Sequence, residues 1–259
     1  MPKIQQLSPH VADMIAAGEV VERPASAAKE LVENAIDAGA KNVTVEMQNG
    51  GMTFLRVTDD GCGIAADEAE TAFLRHATSK LREASDLEAI HTLGFRGEAL
   101  AAISAVSRID LLTKPADAPF GVSLHLDAGV VTQRGEAGCP DGTTIIVRDL
   151  FFNTPARMKF MKRDSIEGSA ILDTVRRLAV AHPEVSFRVI KDGEEQLHTS
   201  GDGQLLGAIY AVFGRQTAKD MIPVRSAFDK NALTGFVTKP TATRGSRANQ
   251  LFFVNGRLI

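Results

Sequence analysis

At 259 residues, with 44% hydrophobic and 24% charged side chains, the chain can bury a substantial core as one large domain or two unequal ones. A formal net charge of −3 excludes a protein that coats nucleic acid by global charge. Its two distant cysteines, Cys62 and Cys139, and its six histidines without HxxxH or HExxH spacing argue against a disulfide framework or a zinc site. No stretch approaches the roughly 18 apolar residues of a membrane span, and no secretory signal opens the chain, so a cytosolic location is expected.

Taken in chain order, Ser8-Pro9 reads as a helix N-cap with proline in the first turn, predicting a helix to about Ala17. A second helix is expected from Pro24 to Ala38, where helix-forming residues run up to the stop at Gly39. Strands are predicted over 43–47 and 54–59, joined by the turn signal Asn49-Gly50-Gly51. Helices are expected over 66–75 and 97–106. Between them lies a long glycine-bearing loop region, which reads as a lid. Strand patterns follow at 108–113, 122–126 and 143–147, then a helix at 165–181 and a strand at 185–190.

The polar run 199–203 reads as a linker, dividing residues 1–200 from a second unit over 201–259. That unit is expected to hold a helix at 205–213 and strands at 231–238 and 250–254, and to be incomplete after Asn255-Gly256. The predicted class is α+β.

On the second helix, Glu30, Glu33, Asn34 and Asp37 fall within an arc of about 100°, opposite Leu31, Val32, Ala35 and Ile36. An amphipathic helix with a solvated acidic face explains this pattern, and so does a cation site that relieves the repulsion of three carboxylates. Magnesium favours oxygen ligands shared with substrate phosphates, and the neutral amide of Asn34 can serve it without repelling a triphosphate. Glu30, one turn earlier, is then placed to deprotonate an attacking water.

The turn Asp59-Asp60-Gly61-Cys62-Gly63 follows a strand. Its paired aspartates would repel a pyrophosphate, whereas Asp59 beside a backbone opened by Gly61 and Gly63 suits an adenine amino group. Gly94-Phe95-Arg96-Gly97-Glu98-Ala99-Leu100 leads a glycine-rich loop into a helix, a candidate phosphate cradle, to which Thr78, Ser79, Lys80 and Arg96 can add donors. No GxxxxGK[ST] occurs, so any phosphate site has another architecture. Thr143, in Gly142-Thr143-Thr144, opens a strand from which its hydroxyl can reach a ligand. Basic stretches at Arg157 to Arg163, at Arg176-Arg177 and around Arg244 and Arg247 are candidates for phosphate contact or simply solvated faces.

In order, ELVENAIDAGA from Glu30, DDGCGI from Asp59, LGFRGEAL from Leu93 and GTT from Gly142 resemble the GHKL ATPase superfamily of topoisomerase ATPase subunits, heat-shock chaperones, histidine kinases and mismatch repair proteins. IAAGEVVERPAS from Ile15, RHATSK from Arg75, FFNTPAR from Phe151 and FVNGR from Phe253 narrow the resemblance to the MutL mismatch repair family, over nearly the whole chain. The resemblance implies a Bergerat-type ATP-binding sandwich followed by a truncated domain like ribosomal protein S5 domain 2. It implies Glu30 as general base, Asn34 as magnesium ligand, Asp59 as adenine reader and Gly94 to Leu100 as ATP lid. It further implies ATP and magnesium as ligands and an ATP-dependent homodimer. The partners it implies are DNA, a MutS-type mismatch-recognition protein and a downstream nuclease or helicase, with no membrane. The resemblance also implies a γ-phosphate lysine from later in the second domain, for which no position can be assigned before Ile259, and this leaves a non-hydrolysing ATP-binding module as the alternative.

Overall fold

Helix α1 (Pro24–Asp37) begins on a proline, whose missing N–H costs nothing in the first turn, and ends at Gly39, which takes φ 77°. The Gly39 and Ala40 N–H groups return to the Ile36 and Ala35 carbonyls, satisfying the helix end as a Schellman motif. The computed structural model describes residues 17–18, 20–80, 92–94, 97–229, 231–243 and 245–259. The helix expected from Ser8, the lid residues Phe95 and Arg96, and Arg244 lie outside the described residues.

Eight strands form one sheet: β1 (Asn42–Gln48), β2 (Phe54–Asp59), β3 (Arg108–Lys114), β4 (Gly121–Asp127), β5 (Val130–Ala137), β6 (Gly142–Arg148), β7 (Ser186–Lys191) and β8 (Glu194–His198). Their order is β5-β4-β3-β6-β2-β1-β7-β8, with every pair antiparallel except β1 with β7. One face is apolar, carrying Val43, Val45 and Met47, then Leu55 and Val57, Ile109 and Leu111, Ile145 and Val147, Phe187 and Val189. Burying each such side chain is worth about 1.5–3 kcal/mol, so a one-residue slip that turned them outward is strongly opposed. Helices α1, α2 (Ala99–Ala105) and α4 (Asp164–Ala181) cover that face, while a short α3 (Pro155–Met158) precedes α4. The result is a two-layer α+β sandwich.

The second unit holds α5 (Leu205–Phe213), α6 (Arg215–Lys219) and a β9 (Met221–Phe228)–β10 (Asn231–Thr238) hairpin. The expected strand at 250–254 shortens to β11 (Phe253–Val254). It turns at Asn255-Gly256, both at positive φ, and pairs with β12 (Arg257–Leu258), so the turn does find a partner strand. The helix expected over 66–75 does not form. Only Ala69 and Phe73 of that stretch are buried, and anchored at two points it winds as turns ending in a 3-10 turn at Thr71–Phe73. Among the described residues no helix is long and apolar enough to cross a membrane.

Candidate functional site

The polar edge of α1 faces residues 76–80 and 92–94. The Asp37 carboxylate, only 6% exposed, receives the Leu93 N–H at 2.8 Å, the Gly94 N–H at 3.0 Å and the Lys80 ammonium at 2.5 Å. The same ammonium lies 3.0 Å from the Asn34 Oδ1 atom. Glu30 stands one turn earlier, 28% exposed and 3.5 Å from Lys29. Two of the four residues on the predicted arc, Asn34 and Asp37, thus meet at one cation, while Glu30 lies beside Lys29. Glu33 does not join them, being buried and hydrogen-bonded to the Lys29 Nζ atom at 2.9 Å. It occupies the edge of the arc next to Ile36, so the packed side of the helix claims it. Burial pushes its carboxyl up despite the lysine.

Two glycines pack closely beside these contacts. A Cβ on Gly94 would come within 3.1 Å of the Lys80 ammonium, and one on Gly97, at φ 62°, within 2.6 Å of the Ala77 carbonyl. Glu98 lies 3.4 Å from His76, Leu100 packs against the core and Ala99 opens α2. Thr78 accepts a hydrogen bond from the Lys80 N–H at 3.1 Å, while Ser79 is exposed.

The second half of the site sits at the end of β2. The Asp59 Oδ1 atom accepts the Gly61 N–H at 2.8 Å, and Cys62 donates its N–H to Ala38, the residue after α1, at 3.0 Å. This brings the turn beside the Asn34–Asp37 group. Side chains on three glycines would strike backbone: at Gly63 the Lys114 carbonyl at 2.5 Å, at Gly142 the Asp59 carbonyl at 2.1 Å, and at Gly61 the Ala38 carbonyl at 3.0 Å. Asp60 turns away and caps the N–H groups of Lys41 and Asn42 at 2.7 and 2.8 Å, a structural role. Thr143 pairs with Asp59 across β2 and β6.

Burial pushes the Asp59 carboxyl up, against the lowering effect of the Gly61 and Thr143 N–H donors. If ionised Asp59 accepts from the ligand, nucleotide affinity falls on acidification already above the ordinary aspartate range. The folding contribution has the opposite sign, because a raised native pKa makes ionisation cost stability, a cost relieved as pH falls. Binding titrations from neutral to mildly acidic pH test this, and an affinity independent of pH across that range would refute it.

Sequence reasoning missed Thr113 and did not foresee what Arg157 and Arg257 hold. Thr113 is wholly buried between the Asp59 turn and Thr143; a polar residue in register with Ile109 and Leu111 was its signal. Arg157 turns inward from the basic stretch to hold the Gly18 carbonyl at 2.7 Å and the Val21 carbonyl. Arg257 donates to the Thr92 carbonyl at 2.5 Å, joining the second unit to the start of the lid region.

Residues 22–149 match the family described as histidine kinase-, DNA gyrase B-, and HSP90-like ATPase, and residues 209–259 match the DNA mismatch repair protein C-terminal domain. The solved structure titled "Aquifex aeolicus MutL ATPase domain complexed with ADP" superposes with a TM-score of 0.74 at 30% identity, over 93% of this chain and 84% of that one. This chain belongs to the MutL family. The MutL proteins of Desulforudis audaxviator and Agathobacter rectalis are 52% and 49% identical over all of this chain, which spans 46% and 40% of their lengths. The sandwich is accordingly the MutL ATPase-domain fold, as the ordered motifs implied.

Proposed function

We propose that this MutL-family chain binds magnesium and ATP, hydrolyses ATP slowly, and uses nucleotide state to switch pairing of two copies and contacts with DNA and repair partners. Those partners are a MutS-type mismatch-recognition protein and a downstream nuclease or helicase. Residues 1–200 would hold the nucleotide and residues 201–259 would begin the second domain.

The observation that carries this reading is the Lys80 ammonium resting on Asn34 Oδ1 and Asp37. A group of oxygens that already holds a cation, with a neutral amide among them, fits magnesium shared with phosphates. Asn34 would be its protein ligand; bound there, the ion offsets phosphate charge. Lys80 would yield that place and turn its donors to phosphate oxygens. Glu30 would take the proton of the attacking water, and Asp59 would accept from the adenine amino group. The Aquifex aeolicus protein, solved with ADP, supports nucleotide at this fold.

For DNA, Lys159, Lys162 and Arg163 are exposed around Phe160, itself 82% exposed. Contact through such residues would be phosphate-driven and sensitive to salt.

The test is a titration of ATP analogue with magnesium, with ATP hydrolysis followed by phosphate release and pairing by sedimentation. Binding, slow release and a nucleotide-dependent dimer are expected, and Asn34→Ala should lose the magnesium-dependent part of binding. Absence of binding would overturn the reading. Binding without release or pairing would make the chain a nucleotide-holding interaction module instead.

A further inference from the structure

Asp59, Thr143 and Thr113 form a row across β2, β6 and β3: Asp59 pairs with Thr143, and Thr143 with Thr113. Directly paired residues point to the same side of a sheet, and this side is the one covered by helices. Thr113 is fully buried, whereas Thr143 and Asp59 are partly open.

The Thr113 hydroxyl has three neighbours, the Ile64 N–H at 2.9 Å, the Gly142 carbonyl at 3.1 Å and the Thr143 hydroxyl at 3.0 Å. A hydroxyl carries one hydrogen and two acceptor sites. The Ile64 N–H can only donate, so it takes one acceptor site. The Gly142 carbonyl can only accept, so it takes the hydrogen. What remains on Thr113 is one acceptor site, and the contact is completed only if Thr143 donates its own hydrogen inward. Reversing that hydrogen would leave the buried Gly142 carbonyl without the Thr113 donor.

We infer that Thr113 is a positioning residue for nucleobase specificity, holding the Thr143 hydroxyl with its hydrogen turned away from the ligand so that the base meets acceptors alone. The inference rests on the proposed adenine site at Asp59. Beside the Asp59 carboxylate, a Thr143 oxygen fixed as acceptor matches the two N–H donors of an exocyclic amino group. It opposes the carbonyl that guanine or hypoxanthine carries at the same position. An aspartate alone would also favour adenine, but a freely rotating threonine could turn its hydrogen to a carbonyl and recover part of the loss. Thr113 removes that freedom.

The experiment compares the dissociation constants of ATP and GTP for the chain and for Thr113→Val, Thr113→Ser and Thr143→Val. The unsubstituted chain should favour ATP. Thr113→Val should narrow the ATP-over-GTP ratio by about tenfold, the worth of one hydrogen bond, and Thr113→Ser should restore it. Equal weakening of both nucleotides in Thr113→Val would reduce Thr113 to a packing residue and overturn the inference. So would a serine variant that behaves like valine.

If Thr113→Val does not fold, Thr143→Val decides. Loss of an acceptor should weaken ATP and leave GTP unchanged or tighter, whereas a larger loss for GTP would mean that Thr143 donates to the base and would overturn the inference. Failure of the unsubstituted chain to bind either nucleotide would instead overturn the ATP reading on which the inference depends.

Discussion

Glu30→Ala should slow ATP turnover by about 10²–10⁴-fold, the usual worth of a positioned general base, while nucleotide affinity stays nearly unchanged. That loss corresponds to about 3–5 kcal/mol of barrier. The choice among the carboxylates of α1 follows from what each already holds. Asp37 receives two backbone N–H groups and an ammonium, and Glu33 is buried against Lys29. Glu30 is the most open of the three side chains and meets its lysine at a looser 3.5 Å, so it can reach a water without dismantling the fold. Among the described residues its carboxylate receives no backbone N–H, which is why binding should survive. Single-turnover phosphate release together with equilibrium binding checks both halves. Unchanged turnover in Glu30→Ala would remove Glu30 from the chemistry, and turnover lost together with binding would make it a ligand-holding group instead.

Much of this site was legible because its parts are local. Proline at Pro24 and glycine at Gly39 bracket α1, and helical spacing alone brings Glu30, Asn34 and Asp37 to one side. The glycines of the Asp59 turn announced close backbone approach, and the structure shows carbonyls where their Cβ atoms would lie. What escaped depended on distant partners. Strand β5 reads VVTQRGEA and is exposed along most of its length at the sheet edge, so it lacks the alternation that marks a strand. Strand β8 is short and polar at the other edge. The stretch over 66–75 has helix-forming residues but buries too few of them to settle as a helix, so tertiary anchoring overrode propensity. Glu33 sat at the boundary of the arc, where only knowledge of the neighbouring packing decides burial. The MutL motifs located Arg157 and Arg257, yet what each holds became visible only when chain segments more than a hundred residues apart met.

Arg23→Ala should destabilise the chain by about 3–5 kcal/mol, the usual cost of breaking a buried ion pair from one side. Glu167, on α4 and 2% exposed, accepts the Arg23 Nε and Nη2 atoms at 3.0 and 2.8 Å, and its other oxygen receives the Lys162 N–H at 3.1 Å. Arg23 itself is 34% exposed. This asymmetry makes the two single variants unequal. Without Arg23 a carboxylate is left charged in the core with one backbone donor, whereas without Glu167 the guanidinium can turn to water. Glu167→Ala should therefore cost less than Arg23→Ala, and the double variant should cost less than the sum of the two, because it leaves no buried charge. Urea unfolding of the four proteins measures this directly. An Arg23→Ala variant no less stable than Glu167→Ala would mean that the carboxylate is not isolated as the contacts imply. Arg23 immediately precedes α1, so the pair also fixes where that helix begins. A destabilised but still folded Arg23→Ala protein should then bind nucleotide more weakly, since Asn34 and Asp37 keep their register with the lid only while the start of α1 is held to α4.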